Sequence, residues 1–218
     1  RLWPKPARGL VVAQEIELRL PRPDSCAIEG RIPELFFCRD LDGYGWCVRK
    51  GEYLNVGLGR RSKDAFETHV RRFASWLTDA GKLPDAPEWR RWRGHAYLLA
   101  GSRQQPPAAD GVLLVGDAAG LAAPESGEGI APAIQSGAVA ASTILAAGGR
   151  YTVDAFAAYS RAVETLCPAD SITRRLRVRV PAAVGRWCLT SPRFTRRVIE
   201  QWFLRAPAML PGEWRAAA

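Results

Sequence analysis

Apolar and polar positions alternate at the start of the chain and later fall into helical spacing. From Leu10 to Leu20 the alternating run VVAQEIELRL predicts a strand. Leu35–Cys38, Gly45–Val48 and Tyr53–Leu58 are three further short strands, with Asp42-Gly43 and Lys50-Gly51 marking tight turns between them. Together they predict an antiparallel sheet. The period then changes. Phe66, Val70, Phe73 and Leu77 line one face of a helix predicted over Lys63–Ala80, with Ser62 as N-cap and Gly81 as terminator.

Leu83–Pro107 is rich in proline, arginine and tryptophan, with a strand expected around His95–Leu99. Val112–Val115 is wholly apolar and bounded by glycines, the pattern of a strand buried on both faces. After a loop, a helix of small residues is predicted from Gly129 to Ala147. Its apolar run, Ile130 to Ala147, is broken by Pro132, Gln135, Ser136, Gly137 and Ser142 and is rich in alanine rather than leucine, so it is not read as a transmembrane span. From Thr152 the pattern is helical, interrupted at Pro168, Pro181, Pro192 and Pro207. The fold class expected is mixed α/β. Residues 1–100 would form an antiparallel sheet with its helix, 101–148 a strand and helix, and 149–218 a helical C-terminal region.

A chain of 218 residues, 47% hydrophobic and 24% charged, is globular in composition and long enough to bury a sizeable core. Its five cysteines (26, 38, 47, 167 and 188) are odd in number and include no CxxC pair, which disfavours a disulfide framework or zinc site and fits a reducing, cytoplasmic setting. His69 and His95 lack metal-ligand spacing, so no metal is expected. The chain opens at Arg1 without a leader pattern, and no targeting segment is visible. Residues 174–218 hold ten arginines against Glu200 and Glu213, so this segment accounts for +8 of the net +9. The tryptophan-arginine run from Glu88 to Gly94 has the composition of a nucleic-acid patch. Its acidic flank and short length favour a solvated face or interdomain contact, and no nucleic-acid partner is expected.

The segment richest in chemistry is Gly111-VLLVGDAAGLAAPESGEGIAPAIQSGAVAAS, ending at Ser142. A buried strand would deliver Gly116 and Asp117 to its carboxyl end, where ligands sit in open α/β sheets. Gly116 permits close approach to the backbone, and Asp117 offers an acceptor to a polyol hydroxyl. Gly127 and Gly129 flank Glu128 at a helix start, whose free N–H groups and dipole favour negative charge. Ala133, Gly137, Ala140 and Ala141 keep one helix face thin. Glycines that merely permit packing are the alternative. That reading covers Gly116 and Gly137 but leaves Asp117 and two helix-start glycines unexplained.

This segment resembles the second flavin-binding motif of the FAD oxidoreductase superfamily that includes the aromatic hydroxylases and the geranylgeranyl reductases. The resemblance implies that Gly116 and Asp117 bind the ribityl chain of FAD, and that Pro124, Gly127, Glu128, Gly129 and Ile130 surround N1 and O2 of the pyrimidine ring. It also implies that residues 1–100 are part of the substrate domain and that 101–148 are the strand and helix returning to the FAD domain. A second segment, Asp42-GYGWCVRKGEYLNVGLG ending at Gly59, is similar to the Tyr-x-Trp-x-Phe-Pro region and hairpin of the geranylgeranyl reductases. It departs from them at Val48-Arg49, where the family has Phe-Pro, and at Leu41, where a proline is expected. Alternation places Tyr44, Trp46 and Val48 on one face with Cys47 opposite. Tyr44 and Trp46 could wall a cavity for an extended apolar chain or simply pack a sheet face. Cys47 faces flavin or substrate in one reading and is a buried, inert thiol in the other.

Gly57-L-Gly59-R-R-Ser62 is a near miss to the dinucleotide fingerprint, but its third glycine is serine and the strand before it alternates. The family's fingerprint lies near the N-terminus, so its absence reads as truncation. The adenine half of FAD would then belong to an N-terminal remainder of the parent chain, and this segment alone would hold FAD weakly and lack turnover. The resemblance implies a reductase in which reduced FAD delivers hydride to a carbon–carbon double bond of an isoprenoid lipid. The electron donor stays open between NAD(P)H and ferredoxin. A flavin monooxygenase is the alternative enzyme, although Gly120 stands where aromatic hydroxylases usually carry histidine. A non-catalytic lipid- or membrane-binding module is the alternative from another class. Residues 192–205 predict a basic amphipathic helix with Phe194, Val198, Ile199, Trp202 and Phe203 on one stripe. It is either a peripheral membrane contact or an ordinary packed helix with solvated arginines.

Overall fold

A computed structural model describes residues 10–22, 26–30, 32–83, 92–103, 105–166 and 182–202. The chain divides into two compact units, Val11–Ala96 and a second that takes Leu10 and the chain from Tyr97 onward, so Tyr97 and Leu98 belong to the second.

The first unit is a five-stranded sheet backed by one helix. Its strands are β1 (Leu10–Arg19), β2 (Glu34–Phe37), β3 (Gly43–Lys50), β4 (Tyr53–Arg60) and β5 (Arg93–Leu98), in the order β2-β3-β4-β1-β5. The β2/β3, β3/β4 and β4/β1 pairs are antiparallel, with Trp46 opposite Gly57 on one side and Leu35 on the other. One sheet face carries Ile16, Cys47, Leu54, Val56 and Leu58, and the buried stripe of α1 (Phe66–Asp79) packs there through Phe66, Val70, Ala74 and Leu77. A half-exposed aromatic group of Phe36, Phe73 and Trp76 borders this core. Apolar burial on this face stabilises the unit by roughly 25 cal/mol per Å² removed from water.

The helix starts later than its sequence predicts. Ser62 is not its cap. The Ser62 N–H is taken by the Asp42 carboxylate at 2.9 Å, and Ser62 Oγ accepts the Asp64 N–H at 3.1 Å. That turn holds the chain out of helical geometry until Ala65, a left-handed residue at φ 49 that occupies the cap position without a side-chain bond. The other end follows expectation. Gly81, at φ +67, donates its N–H to Thr78 O at 3.0 Å while Lys82 N–H reaches Leu77 O at 2.9 Å, the paired closure that a left-handed glycine allows. The loop before β3 also turns on a residue other than its glycine: Leu41 is the left-handed position, at φ 56. Arg60, 4% exposed, anchors that loop with hydrogen bonds of 3.1 and 2.6 Å to the Asp40 carboxylate.

The second unit is mainly helical. A two-residue hairpin, β6 (Ala108–Ala109) with β7 (Val112–Leu113), leads to a 3-10 turn over Gly116–Ala119. Then come α2 (Ile130–Ala147), α3 (Ala157–Leu166), α4 (Ala182–Leu189) and α5 (Pro192–Trp202). The expectation of a strand over Val112–Val115 buried on both faces is corrected here. Only two residues pair, both half-buried, and Val115 is 40% exposed. Beyond them Leu114 donates its N–H to Pro107 O at 2.8 Å and its carbonyl accepts from the hydroxyl of the fully buried Tyr159, so the ladder has no further partners. The core of this unit joins Leu121, Val139 and Ala140 to Phe156, Tyr159, Val163 and Leu166. By length and composition α2 could cross a membrane, but Pro132, Ser136, Val139, Ala140, Thr143 and Ala147 form a buried stripe, while Ile130, Ile134 and Leu145 are exposed. Pro192 begins α5 rather than breaking it, as suits a residue with no N–H to lose. Pro168, Pro181, Pro207 and Phe203 lie outside the described residues.

Candidate functional site

Gly116 sets the geometry of the site. It is left-handed at φ +52, and a Cβ there would stand 2.9 Å from the Ala133 Cβ of α2. Its N–H donates to Ser136 Oγ at 3.0 Å, and Ser136 Oγ donates to Ala133 O at 3.1 Å. Ser136 is fully buried. This serine clamps the 3-10 turn onto α2, which is why the helix face must be thin there. Gly120, at φ +63, closes the turn by donating to Asp117 O at 3.0 Å.

Asp117 follows the clamp. Its carboxylate is exposed, and Oδ1 lies 2.9 Å from where a Cβ of Gly129 would stand. Any larger residue at 129 would displace the carboxylate. The loop between them is compact: Ala123 N–H donates to Glu128 O and Gly127 N–H to Ala123 O, both at 2.7 Å. Pro124 is half-buried in that loop, and Ile130, 74% exposed, opens the helix.

Glu128 acts at the helix start differently from a bystander between glycines. Its Oε1 accepts the Ala131 N–H at 3.0 Å, satisfying one of the orphan donors of the first turn. Pro132 has no N–H. The N–H groups of Gly129 and Ile130 carry no protein partner among the described residues. The structure thus brings Gly116, Asp117, Gly127, Glu128, Gly129 and Ile130 together at one end of α2. It offers one carboxylate acceptor and two backbone donors at the positive end of an 18-residue helix.

Tyr97 also joins this site, unannounced by the motif. A parallel bridge between Leu99 and Ala122, with Ala100 N–H donating to Ala122 O at 2.8 Å, brings the chain after β5 against the loop. The Tyr97 hydroxyl then lies 2.5 Å from where a Gly127 Cβ would stand. Burial and the charge of Asp117 push this phenol up to about 12.

Tyr44 and Trp46 lie in the first unit, on the sheet face opposite α1. Ring centroids run from Phe37 to Tyr44 at 6.2 Å and on to Trp46 at 6.1 Å. The indole lies over Gly57, where a Cβ would stand 2.1 Å from Cζ2, and its N–H donates to Asn55 Oδ1 at 2.7 Å. Asn55 Nδ2 donates in turn to Glu15 at 3.4 Å. Gly57 and Gly59 are therefore strand residues beneath an indole. Cys47 projects to the other face, fully buried among the core residues, and burial pushes its thiol up to about 12.

No family model matches the chain. Over 147 residues it is 33% identical to a digeranylgeranylglycerophospholipid reductase of Methanothrix thermoacetophila, an alignment covering 62% of this chain and 35% of that relative. Over 121 residues it is 32% identical to a protein of the same name from Methanocaldococcus jannaschii, covering 52% of this chain and 29% of the relative. The chain spans about a third of the length of these curated relatives. Among solved structures, BrvH, a flavin-dependent halogenase from Brevundimonas sp. BAL3, aligns at a TM-score of 0.49 and 12% identity over 96% of this chain and 46% of that one, a likeness too slight to carry chemistry across. The resemblance to the geranylgeranyl reductases is borne out by these relatives.

Proposed function

We propose that this chain supplies the flavin-ring end of an FAD site, together with a substrate-facing sheet, in a reductase acting on isoprenoid lipids. The observation that carries this reading is the convergence of the Asp117 carboxylate and the Gly129 backbone at a helix start with two uncommitted N–H groups. The residues present fit the group. Asp117 would accept from a ribityl hydroxyl. Gly129 and Ile130 would donate to the pyrimidine oxygen, with the helix dipole favouring negative charge there. Gly127, Glu128 and Pro124 shape the loop that holds those donors in place. A flavin bound there in its reduced state supplies hydride for a carbon–carbon double bond. The adenine and pyrophosphate half is assigned to the remainder of the natural protein, in keeping with the share of its relatives that this chain spans. The electron donor is left as NAD(P)H or ferredoxin.

On the sheet, Leu35 and Phe37 pair with Trp46 and Tyr44 and form an apolar, aromatic strip, bordered by Asn55 and Glu15, that suits an extended hydrocarbon chain. The C-terminal helices support a peripheral contact with anionic lipid at the cytoplasmic side of a membrane. Trp187 is 75% exposed, and Val184 and Phe194 are exposed as well, among exposed Arg186, Arg193, Arg196 and Arg197.

The test is flavin content and lipid turnover in the natural protein that carries this sequence. It should purify with FAD and saturate a prenyl lipid. Asp117→Ala should weaken FAD binding about tenfold to a hundredfold without unfolding, because an exposed charged acceptor is lost. NADPH-driven oxygen consumption with an aromatic substrate would instead make the protein a monooxygenase. Sedimentation with anionic vesicles at low salt, abolished when Arg193, Arg196 and Arg197 are replaced, is the expected result for the membrane contact. Absence of binding at low salt refutes it.

A further inference from the structure

The Gly127–Gly129 segment is touched by two polar side chains from opposite directions in sequence. Asp117 reaches Gly129 from the 3-10 turn, and Tyr97 reaches Gly127 from the end of β5. Gly127 is left-handed at φ +73, and the Tyr97 oxygen occupies the space a side chain would need: 2.5 Å to the hydroxyl, against 3.6 Å to Cζ. The oxygen, not the ring, is therefore what meets the loop. The Leu99–Ala122 bridge holds the tyrosine there, since it fixes the chain two residues beyond Tyr97 to the chain five residues before Gly127.

We propose that Tyr97 is a positioning residue of the flavin site, its hydroxyl setting the Gly127–Gly129 turn so that the Gly129 and Ile130 N–H groups are presented to the ligand. The proposal rests on the flavin reading given above. The phenol is well suited to the task. Half-buried beside Asp117, it stays protonated across the working range of pH and so always offers a proton to an acceptor. Phenylalanine keeps the ring and removes only the atom in contact.

The experiment uses the natural protein with FAD as the probe. Tyr97→Phe should weaken FAD binding about fivefold to tenfold and shift the visible bands and reduction potential of the bound flavin, with little change in thermal stability. Gly127→Ala should weaken binding more, because its methyl meets the hydroxyl and its backbone is left-handed. The double variant Tyr97→Phe/Gly127→Ala should recover part of that loss, since the 3.6 Å to Cζ is an ordinary contact. Lower thermal stability in Tyr97→Phe with affinity and spectrum unchanged would overturn the proposal, as would strict additivity in the double variant. If the wild type holds no flavin, the underlying reading falls with it. If the wild type binds and Asp117→Ala alone loses affinity, only the role of Tyr97 is refuted.

Discussion

Replacing Ser136 with alanine isolates the contact that joins the site to its helix. Two bonds disappear, from Gly116 N–H at 3.0 Å and to Ala133 O at 3.1 Å. The carbonyl loses a secondary partner, but the Gly116 N–H is left in a buried position with none. An orphaned buried donor costs about 1–3 kcal/mol. Against this, alanine is the better helix former in the middle of α2 by up to about 0.5 kcal/mol. The void left by one oxygen adds little. The net expectation is a loss of about 1–2 kcal/mol, because the desolvation cost exceeds the propensity gain. Function should follow, since the Gly116 amide can find water only by rotating, and Asp117 is the next residue. The assay is urea unfolding of the natural protein at constant slope, paired with a fluorescence titration of FAD. The midpoint should fall and FAD affinity should weaken. Ser136→Cys, similar in size with a weak acceptor, should fall between. A Ser136→Ala protein as stable as wild type with unchanged FAD affinity would refute the reasoning, because it would mean the buried donor is satisfied elsewhere.

Two further predictions concern the first unit. The Cys47 thiol, pushed up to about 12 by burial, should resist iodoacetamide in the folded protein at pH 8 and react after denaturation, as read by peptide mass; stoichiometric native labelling would place it at an open surface. The Arg60 guanidinium lowers Asp40 from 3.8 to about 2, chiefly through its hydrogen bonds. A depressed carboxylate contributes stability that is complete above about pH 4 and is lost as pH falls towards about 2. The Asp40 side chain is 51% exposed, so solvent screening reduces the size of the effect. Asp40→Asn should be less stable at neutral pH, with the gap closing in acid; parallel acid-unfolding curves would contradict this.

The alternation of Glu15 to Leu20 predicts a strand that sends Ile16, Leu18 and Leu20 to a core, because side-chain direction in an extended chain has a period of two; Val11 and Ala13 are buried on the other face. It also placed Tyr44 and Trp46 opposite Cys47. The stripe of α1 and its glycine closure were legible for the same reason, being local properties of spacing and of a left-handed residue. Most of the candidate site was legible as well, since Gly116 to Ile130 lie within one short stretch whose turn is built from glycines.

Other features depended on contacts between distant parts of the chain. Ser62 has the chemistry of a cap, but Asp42, twenty residues away, claims its N–H and delays the helix to Phe66. Val112–Val115 has the composition of a buried strand, yet Pro107 and Tyr159 take the bonds of Leu114 and end the ladder at two residues. In the sequence Ser136 is a break in an apolar run, and only the fold puts Gly116 against it; Tyr97 lies outside the motif, and the Leu99–Ala122 bridge brings it to Gly127. The sequence by itself determined periodicity, turn chemistry and the residues of the continuous motif, because these depend on neighbours a few positions away. Only the tertiary structure decided which donors were already taken, since a hydrogen-bond partner is chosen by distance in space.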